Sequence, residues 1–338
     1  MADFAPYVSV CVICYNEEKN IEQCLRSIMQ QEYSQDRFEI IVVDSGSTDS
    51  TMRIVQEMEK RDERIRIFHS GKRSISFNRN MGLANARAEL IAFIDADCSA
   101  PRDWLETLVK GYQKYKKIIP NLVAVGGFNI PPEKANRFQR VLGVFFNTYF
   151  GTHGSPQGRI FTTNQPVRHL PTLNVLYEKG KVLGVGGFDL NMHNIIEDED
   201  LSIRLLKGGY KLICLQNSYV YHRFRDNYYD FLKRMFVYGK GRAWFMRKHF
   251  KDTPKILVAP AILSVGLILM PLGMVHKIFL FPLVYFPFIF IVSIYESLKA
   301  GKFFYVIELF LIYIIAHICY GLGEIYGIFS KVKVNIHD

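Results

Sequence analysis

The sequence predicts an α/β domain with a doubly wound sheet, followed by a helical membrane domain. Apolar, strand-like runs alternate with helical ones from Val8 to Ile94, the pattern that builds parallel sheets. Short polar and acidic clusters follow directly on those runs, where ligands collect in such sheets. The mixed composition of residues 1 to about 250 then gives way to an overwhelmingly apolar remainder, as expected where a soluble domain meets membrane-embedded helices.

Val8 to Cys14 reads as a buried strand, and Glu17 to Gln30 as a helix with Ile21, Leu25, Ile28 and Met29 at helical spacing. The unit recurs. Glu39 to Val43 is a strand and Thr48 to Lys60 a helix; Ile65 to Phe68 is a strand, Ser76 to Ala86 a helix, and Leu90 to Ile94 a strand. From Pro101 the pattern weakens: Trp104 to Tyr115 is helical, Leu122 to Val125 extended, and Gly151 to Arg168 a loop rich in Gly, Pro, Thr and Asn. These readings set a domain over 1–235, a basic interfacial helix over 236–255 and a transmembrane region over 256–338. Three apolar segments, near 256–275, 278–295 and 303–329, approach the roughly 20 residues needed to span hydrocarbon. Pro282 and Pro287 would kink the second, which leaves open a re-entrant hairpin made by the first two.

The chain has 338 residues, a formal net charge of +10 and six cysteines. Cys11 and Cys14 form a C-x-x-C, but on a strand positions three apart face opposite sides, so no redox or zinc site is expected. The charge is informative through its location. Lys240, Arg242, Arg247, Lys248, Lys251 and Lys255 cluster before the first apolar segment, where basic residues favour the cytoplasmic face and attract anionic lipid by about 1 kcal/mol each. A membrane surface is therefore expected as partner rather than nucleic acid. Met1 to Pro6 has neither a basic start nor an apolar stretch, so a multi-pass membrane protein with its soluble domain in the cytoplasm is expected.

Asp95-Ala96-Asp97 ends an apolar strand, so two carboxylates two residues apart point the same way. Such hard oxygen ligands suit Mg²⁺ or Mn²⁺ on a diphosphate, and a simple turn is the plainer alternative. Asp44 opens Asp44-Ser45-Gly46-Ser47-Thr48-Asp49 after another strand; its carboxylate can accept from a nucleobase imide, or merely shape a strand-to-helix turn. Glu197-Asp198-Glu199-Asp200 starts a helix, favoured there by the helix dipole. Four adjacent carboxylates would also raise one another's pKa, which suits a general base. Asp200 stands four residues before Arg204, the spacing of an exposed intrahelical pair worth about 0.3–0.5 kcal/mol.

Taken in order, Cys14-Tyr15-Asn16-Glu17, Asp44-Ser45-Gly46-Ser47-Thr48-Asp49, Arg79-Asn80-Met81-Gly82, Asp95-Ala96-Asp97, Gly186-Gly187-Phe188, Glu197-Asp198-Glu199-Asp200-Leu201 and Val220-Tyr221-His222 resemble the family-2 inverting glycosyltransferases of the GT-A fold. The similarity spans about residues 7–245, and the ordered set is far more specific than any member. The resemblance implies that Asn16, Asp44, Arg79 and Asp95 bind a nucleotide-sugar donor, Asp44 at the nucleobase and Asp95 on the ribose side. Asp97 and His222 would serve the divalent metal on the diphosphate. Asp198, with Glu197 as neighbour, would be the base that deprotonates an acceptor hydroxyl.

Two departures matter. Ser45 and Cys98 stand where many relatives carry a further Asp, so the nucleotide is not assignable from them. The Gln-x-x-Arg-Trp signature of processive synthases is missing, which favours addition of single sugars to a glycan. The apolar tail suggests a lipid-linked acceptor. A polyprenyl-phosphate glycosyl synthase is the alternative enzyme, although Cys98-Ser99-Ala100-Pro101 stands where such enzymes show Gln-His-Pro-Pro. A non-catalytic membrane scaffold of a glycan-assembly complex is the alternative outside enzymology.

Overall fold

The structure, a computed structural model, describes residues 5–192 and 195–330. These divide into two compact units, 5–132 with 155–223, and 133–154 with 224–330.

The first unit opens with β1 (Val8–Cys14), α1 (Ile21–Met29), β2 (Phe38–Asp44), α2 (Thr51–Glu59), β3 (Ile65–His69), α3 (Ile75–Asn85) and β4 (Leu90–Asp95). β1 and β2 bury almost every side chain, as strands covered on both faces must. On one face α1 presents Ile21, Cys24, Leu25 and Ile28 to the core. On the other, Leu83 of α3 packs with Cys11, Ile41 and Phe93. Full burial of one such leucine contributes about 1.5–3 kcal/mol. Cys11 and Cys14 fall in these two different cores, as the strand period requires, and burial pushes the Cys11 thiol up to about 12.

The chain continues through β5 (Cys98–Ser99), α4 (Trp104–Ile118) and β6 (Leu122–Ile130). α5 (Arg137–Phe146) and α6 (Tyr149–Thr152) follow and belong to the second unit. The first unit then resumes with β7 (Gln165–Pro166), β8 (Val175–Glu178), α7 (Lys179–Gly184), α8 (Glu197–Lys207) and β9 (Lys211–His222). The sheet order is β3-β2-β1-β4-β8-β6-β9-β5, with β7 also on β9. The parallel arrangement expected from sequence holds for β3-β2-β1-β4. Beyond β4 the sheet is mixed, because β8 runs antiparallel to both β4 and β6 while β6 and β9 are parallel.

In the second unit, α9 (Tyr228–Lys248), α10 (Ala259–Leu269), α11 (Tyr285–Lys299) and α12 (Val306–Phe329) join α5 and α6. The segments Lys255–Met274, Lys277–Lys299 and Phe303–Phe329 are helical and long and apolar enough to cross a membrane. Much of the first two is 3₁₀ helix, including the turn around Pro282. The sequence reading assigned 133–154 to the soluble domain and set its end at 235. Here 133–154 and 224–330 belong together, for a physical reason. The apolar face of α5, Val141, Leu142 and Phe145, completes its core with Phe231 and Tyr313. Gln139 Nε2 donates to Phe224 O at 2.7 Å, and Tyr313 Oη to Thr148 Oγ1 at 2.8 Å.

At the amino-end of the first unit's sheet, Glu39 is buried in β2. Its carboxylate accepts from Ser9 Oγ at 2.7 Å, Arg87 N–H at 2.7 Å and Arg66 Nη1 at 2.5 Å. Burial alone would raise its pKa, and these donors together hold it below the usual value. A depressed folded pKa gives stability that is present above the unfolded pKa and lost as pH falls through the folded one. Glu39→Gln is therefore expected to destabilise the protein at pH 7 by about 1.5–3 kcal/mol. In urea titrations the gap to wild type should close as pH drops below about 4. A gap independent of pH would show that the carboxylate's charge is not what stabilises this corner.

Candidate active site

The parallel strands end in one row. Register sets Asp44 beside Cys14 and beside His69, and Asp95 beside Ile13, so both aspartates reach the same edge of the sheet from either side of β1.

The Asp44 side chain is buried, and its oxygens accept from Gly46 N–H and Ser47 N–H, both at 3.1 Å. Gly46 has a φ of +88°, a conformation that an L side chain would strain. Asn16, in the left-handed region at φ +53°, accepts from Thr48 N–H at 2.8 Å, while its own N–H donates to Ser47 Oγ at 3.0 Å. Asp49 accepts from the Thr51 and Glu18 amides. The loop after β2 is thus laced to the loop after β1. That lacing delays α2 to Thr51, three residues beyond the expected start. Asp44 and Asn16 shape this pocket rim whatever else they bind. Ser45 is buried, with its Oγ accepting from Asn78 Nδ2 at 2.5 Å, so it belongs to the wall. The Arg73 guanidinium lies 4.5 Å from the centroid of Tyr15 beside this rim, a stack that no motif marks.

Arg79 is buried on α3. One guanidinium nitrogen bonds Glu197 and another lies 3.4 Å from Asp95 Oδ1, with the Phe188 ring beneath at 5.5 Å. Burial disfavours its charge, but Glu197 and Asp95 together hold its pKa above the ordinary value. Arg79 is therefore an internal tie between β4 and α8.

Asp95 lies beside Arg79, and past the turn that follows β4 Asp97 meets β9. Antiparallel pairing sets Cys98 opposite His222, and His222 Nε2 comes within 3.4 Å of Asp97 Oδ2, each side chain about one fifth exposed (18% and 21%). The cluster suits a divalent cation: Asp97 offers a hard oxygen and His222 an imidazole nitrogen, and the remaining positions could be filled by diphosphate and water. The neighbouring Cys98 thiol is a poor third ligand. It packs in the core, and burial, reinforced by Asp97 and Asp95, pushes it well above its usual pKa. Asn129, buried on β6, accepts from Gly158 N–H at 2.8 Å and sets its Nδ2 3.1 Å from His222 Nδ1. The sequence carried no signal for it. With Asn129 donating, Nε2 is the protonated nitrogen facing Asp97; a cation on Nε2 calls for the other tautomer.

The acidic run does not act as a block. Ile196, a β-branched residue at φ +68°, starts α8 in a strained conformation of the kind that concentrates at functional sites. The following carboxylates then diverge. Glu197 is buried against Arg79 and Asp200 is fully buried against Arg204, at 2.8 Å. Asp198 keeps about 20% of its side chain exposed and lies 3.9 Å from His169 Nε2. Each faces a different basic side chain, while burial, with Asp198 adding to it, still raises the Glu197 pKa against the pull of Arg79. His169 was missed because no motif includes it.

Arg204 also donates to the carbonyls of Val185 and Gly187 at 2.7 Å. The pair expected as an exposed intrahelical contact thus anchors the Gly186-Gly187 turn.

The profile of Glycosyl transferase family 2 matches residues 9–179, just over half of the chain. Among curated proteins, the chain is 25% identical over 254 residues to a dolichyl N-acetyl-alpha-D-glucosaminyl phosphate 3-beta-D-2,3-diacetamido-2,3-dideoxy-beta-D-glucuronosyltransferase of Methanococcus voltae, covering 72% of this chain and 75% of that one. It is 27% identical over 186 residues to a glucosyl-dolichyl phosphate glucuronosyltransferase of Haloferax volcanii, covering 54% and 56%; little more than half of that relative is spanned. Among solved structures, the mannosyltransferase PcManGT of Pyrobaculum calidifontis, in complex with GDP-Man and Mn²⁺, superposes with a TM-score of 0.56 at 21% identity, covering 75% of this chain and 66% of that one. The first unit therefore has the GT-A fold.

Because Asp200 is fully buried, Asp200→Asn is expected to destabilise by about 1.5–3 kcal/mol. Chemical denaturation measures it. A loss under about 0.5 kcal/mol would return the pair to the class of exposed contacts.

Proposed function

The chain belongs to glycosyl transferase family 2, and from that premise we propose that it is a membrane-bound enzyme that transfers one sugar, with inversion, from a nucleotide-diphosphate sugar to a lipid-linked or other glycan acceptor. The observation that carries this reading is the convergence at one sheet edge of Asp44, Asp95, Asp97 with His222, and the open Asp198 beyond Arg79. Relatives acting on dolichyl phosphate-linked sugars, together with three helices able to cross a membrane, support a lipid-linked acceptor and a membrane location. The basic stretch before the apolar segments supports a cytoplasmic catalytic domain.

In this reading the rim formed by Asn16 and Asp44 receives the nucleoside, and Asp95 lies on its ribose side. Asp97 and His222 would hold a divalent cation, which when bound neutralises charge on the diphosphate leaving group. Asp198 accepts the proton of the acceptor hydroxyl as that oxygen attacks the anomeric carbon. Glu197, committed to Arg79, positions the start of α8 and does not exchange protons with the acceptor. His169 lies on the other side of Asp198 and is suited to steadying its charge.

Two variants test the assignment. Asp198→Asn should lower transfer by about 10²-fold or more while donor affinity persists; equal loss of both would remove the base from this position. Asp97→Asn should abolish the Mn²⁺-dependent part of donor binding, and chelation should do the same to wild type. Full transfer in excess chelator would refute the cation site.

A further inference from the structure

The sequence treated α9 as an interfacial helix and the last apolar segment as a membrane span, as though the two were independent. Within the second unit they are one pair. At one end, Phe231 and Met235 of α9 share an apolar cluster with Tyr313 and Ala316 of α12. Further along, a Cβ built on Gly239 would lie 1.9 Å from Tyr320 O, and one on Gly323 would lie 2.0 Å from Phe236 O. At the far end, Arg247 Nη2 donates to Gly327 O at 2.9 Å and to Ser330 O at 3.0 Å, and Trp244 Nε1 to Ser330 Oγ at 3.2 Å. Contacts advance along both helices in the same direction, from 231 to 247 and from 313 to 330. At 1.5 Å per residue the shared length is about 25 Å.

Helices packed side by side over such a length share their depth in a bilayer. α9 carries Lys233, Arg234, Lys240, Arg242, Arg247 and Lys248 within its 21 residues, and two of these stand at its middle against α12. Lys240 Nζ lies 5.4 Å from the centroid of Tyr326, and Arg242 Nε donates to Tyr320 Oη at 3.1 Å. If α12 crossed the membrane, these cations would be drawn into hydrocarbon, where basic side chains are strongly disfavoured. The inner face of α12 is equally unlike a span. Glu308 near its start pairs with the exposed Arg137 at 2.8 Å, and Glu324 near its end is fully buried, accepting from Ala261 N–H at 3.1 Å. The outer face, by contrast, is exposed and apolar along its length through Ile307, Leu311, Leu322 and Ile328.

We propose that α12 does not cross the bilayer but lies with α9 in the plane of one leaflet's interface, its outer apolar face in the acyl region and the basic side chains of α9 at headgroup level. The inference rests on the membrane reading above and replaces its last span with a surface that docks on lipid. The segments before it, Lys255–Met274 and Lys277–Lys299, then dip into or cross the membrane and return as a hairpin.

The test uses the full chain with single cysteines introduced at Lys302 and, separately, at Lys333, before and after α12. Membrane-impermeant maleimide is applied to intact and to opened cells. An in-plane helix leaves both positions on the same side, labelled under the same condition; labelling on opposite sides overturns the proposal. As a second reading, Ile307→Trp and Ile318→Trp are reconstituted in phosphatidylcholine and phosphatidylglycerol vesicles with brominated acyl chains. In-plane placement predicts equal quenching depth for the two, whereas a span predicts that Trp at 318 is much deeper. A chain recovered in the soluble fraction, away from membranes, would refute the membrane reading itself and the inference with it.

Discussion

Arg79 is a permanently charged group held out of water, and a buried guanidinium is tolerable only where carboxylates meet it with good geometry. Glu197 and Asp95 supply that geometry from the start of α8 and the end of β4. The tie fixes more than its own three residues. It sets where α8 begins, so the next residue, Asp198, turns outward. It also engages Asp95, while Asp97 meets His222 beside the short β5–β9 pairing. One internal cation thereby sorts a crowded set of acids into those that hold the fold and those that stay accessible for chemistry.

The same sorting governs the pocket rim. Asp44 and Asn16 spend most of their hydrogen-bonding capacity on the backbone of the loop after β2, and a ligand would meet a surface already organised. Such preorganisation is what catalysis by positioning and charge stabilisation needs. The strained Ile196 at the head of α8 fits this picture, since local strain persists only where surrounding structure holds it.

How far the sequence could be read follows from how local each signal was. β1 to β4 were legible because each is a continuous apolar run buried on both faces, and the carboxyl-edge cluster followed from their parallel order. β8 is only four residues long, and β9 carries Gln216, Asn217 and Ser218 in its middle; their strand character comes from neighbours in the sheet. α5 shows a helical stripe, but a stripe does not say which residues will cover it. The Asp200–Arg204 spacing announced a pair and nothing about its burial. His169 and Asn129 act through contacts distant in sequence, at Asp198 and His222 respectively, and no motif passes through them.

The chain enters its second unit twice, first over 133–154 and again from Phe224. During synthesis this imposes an order of events. Phe145 leaves the ribosome well before Phe231, and far ahead of Tyr313, the partners that complete its core. At roughly 5–20 residues per second, the wait for Tyr313 lasts on the order of ten seconds or more. Throughout that interval Val141, Leu142 and Phe145 form a bare apolar face on a nascent chain. The first unit can gather its own sheet in the meantime, whereas α5 is obliged to stay unburied, or to be shielded by a chaperone or by lipid, until the last helix has been made.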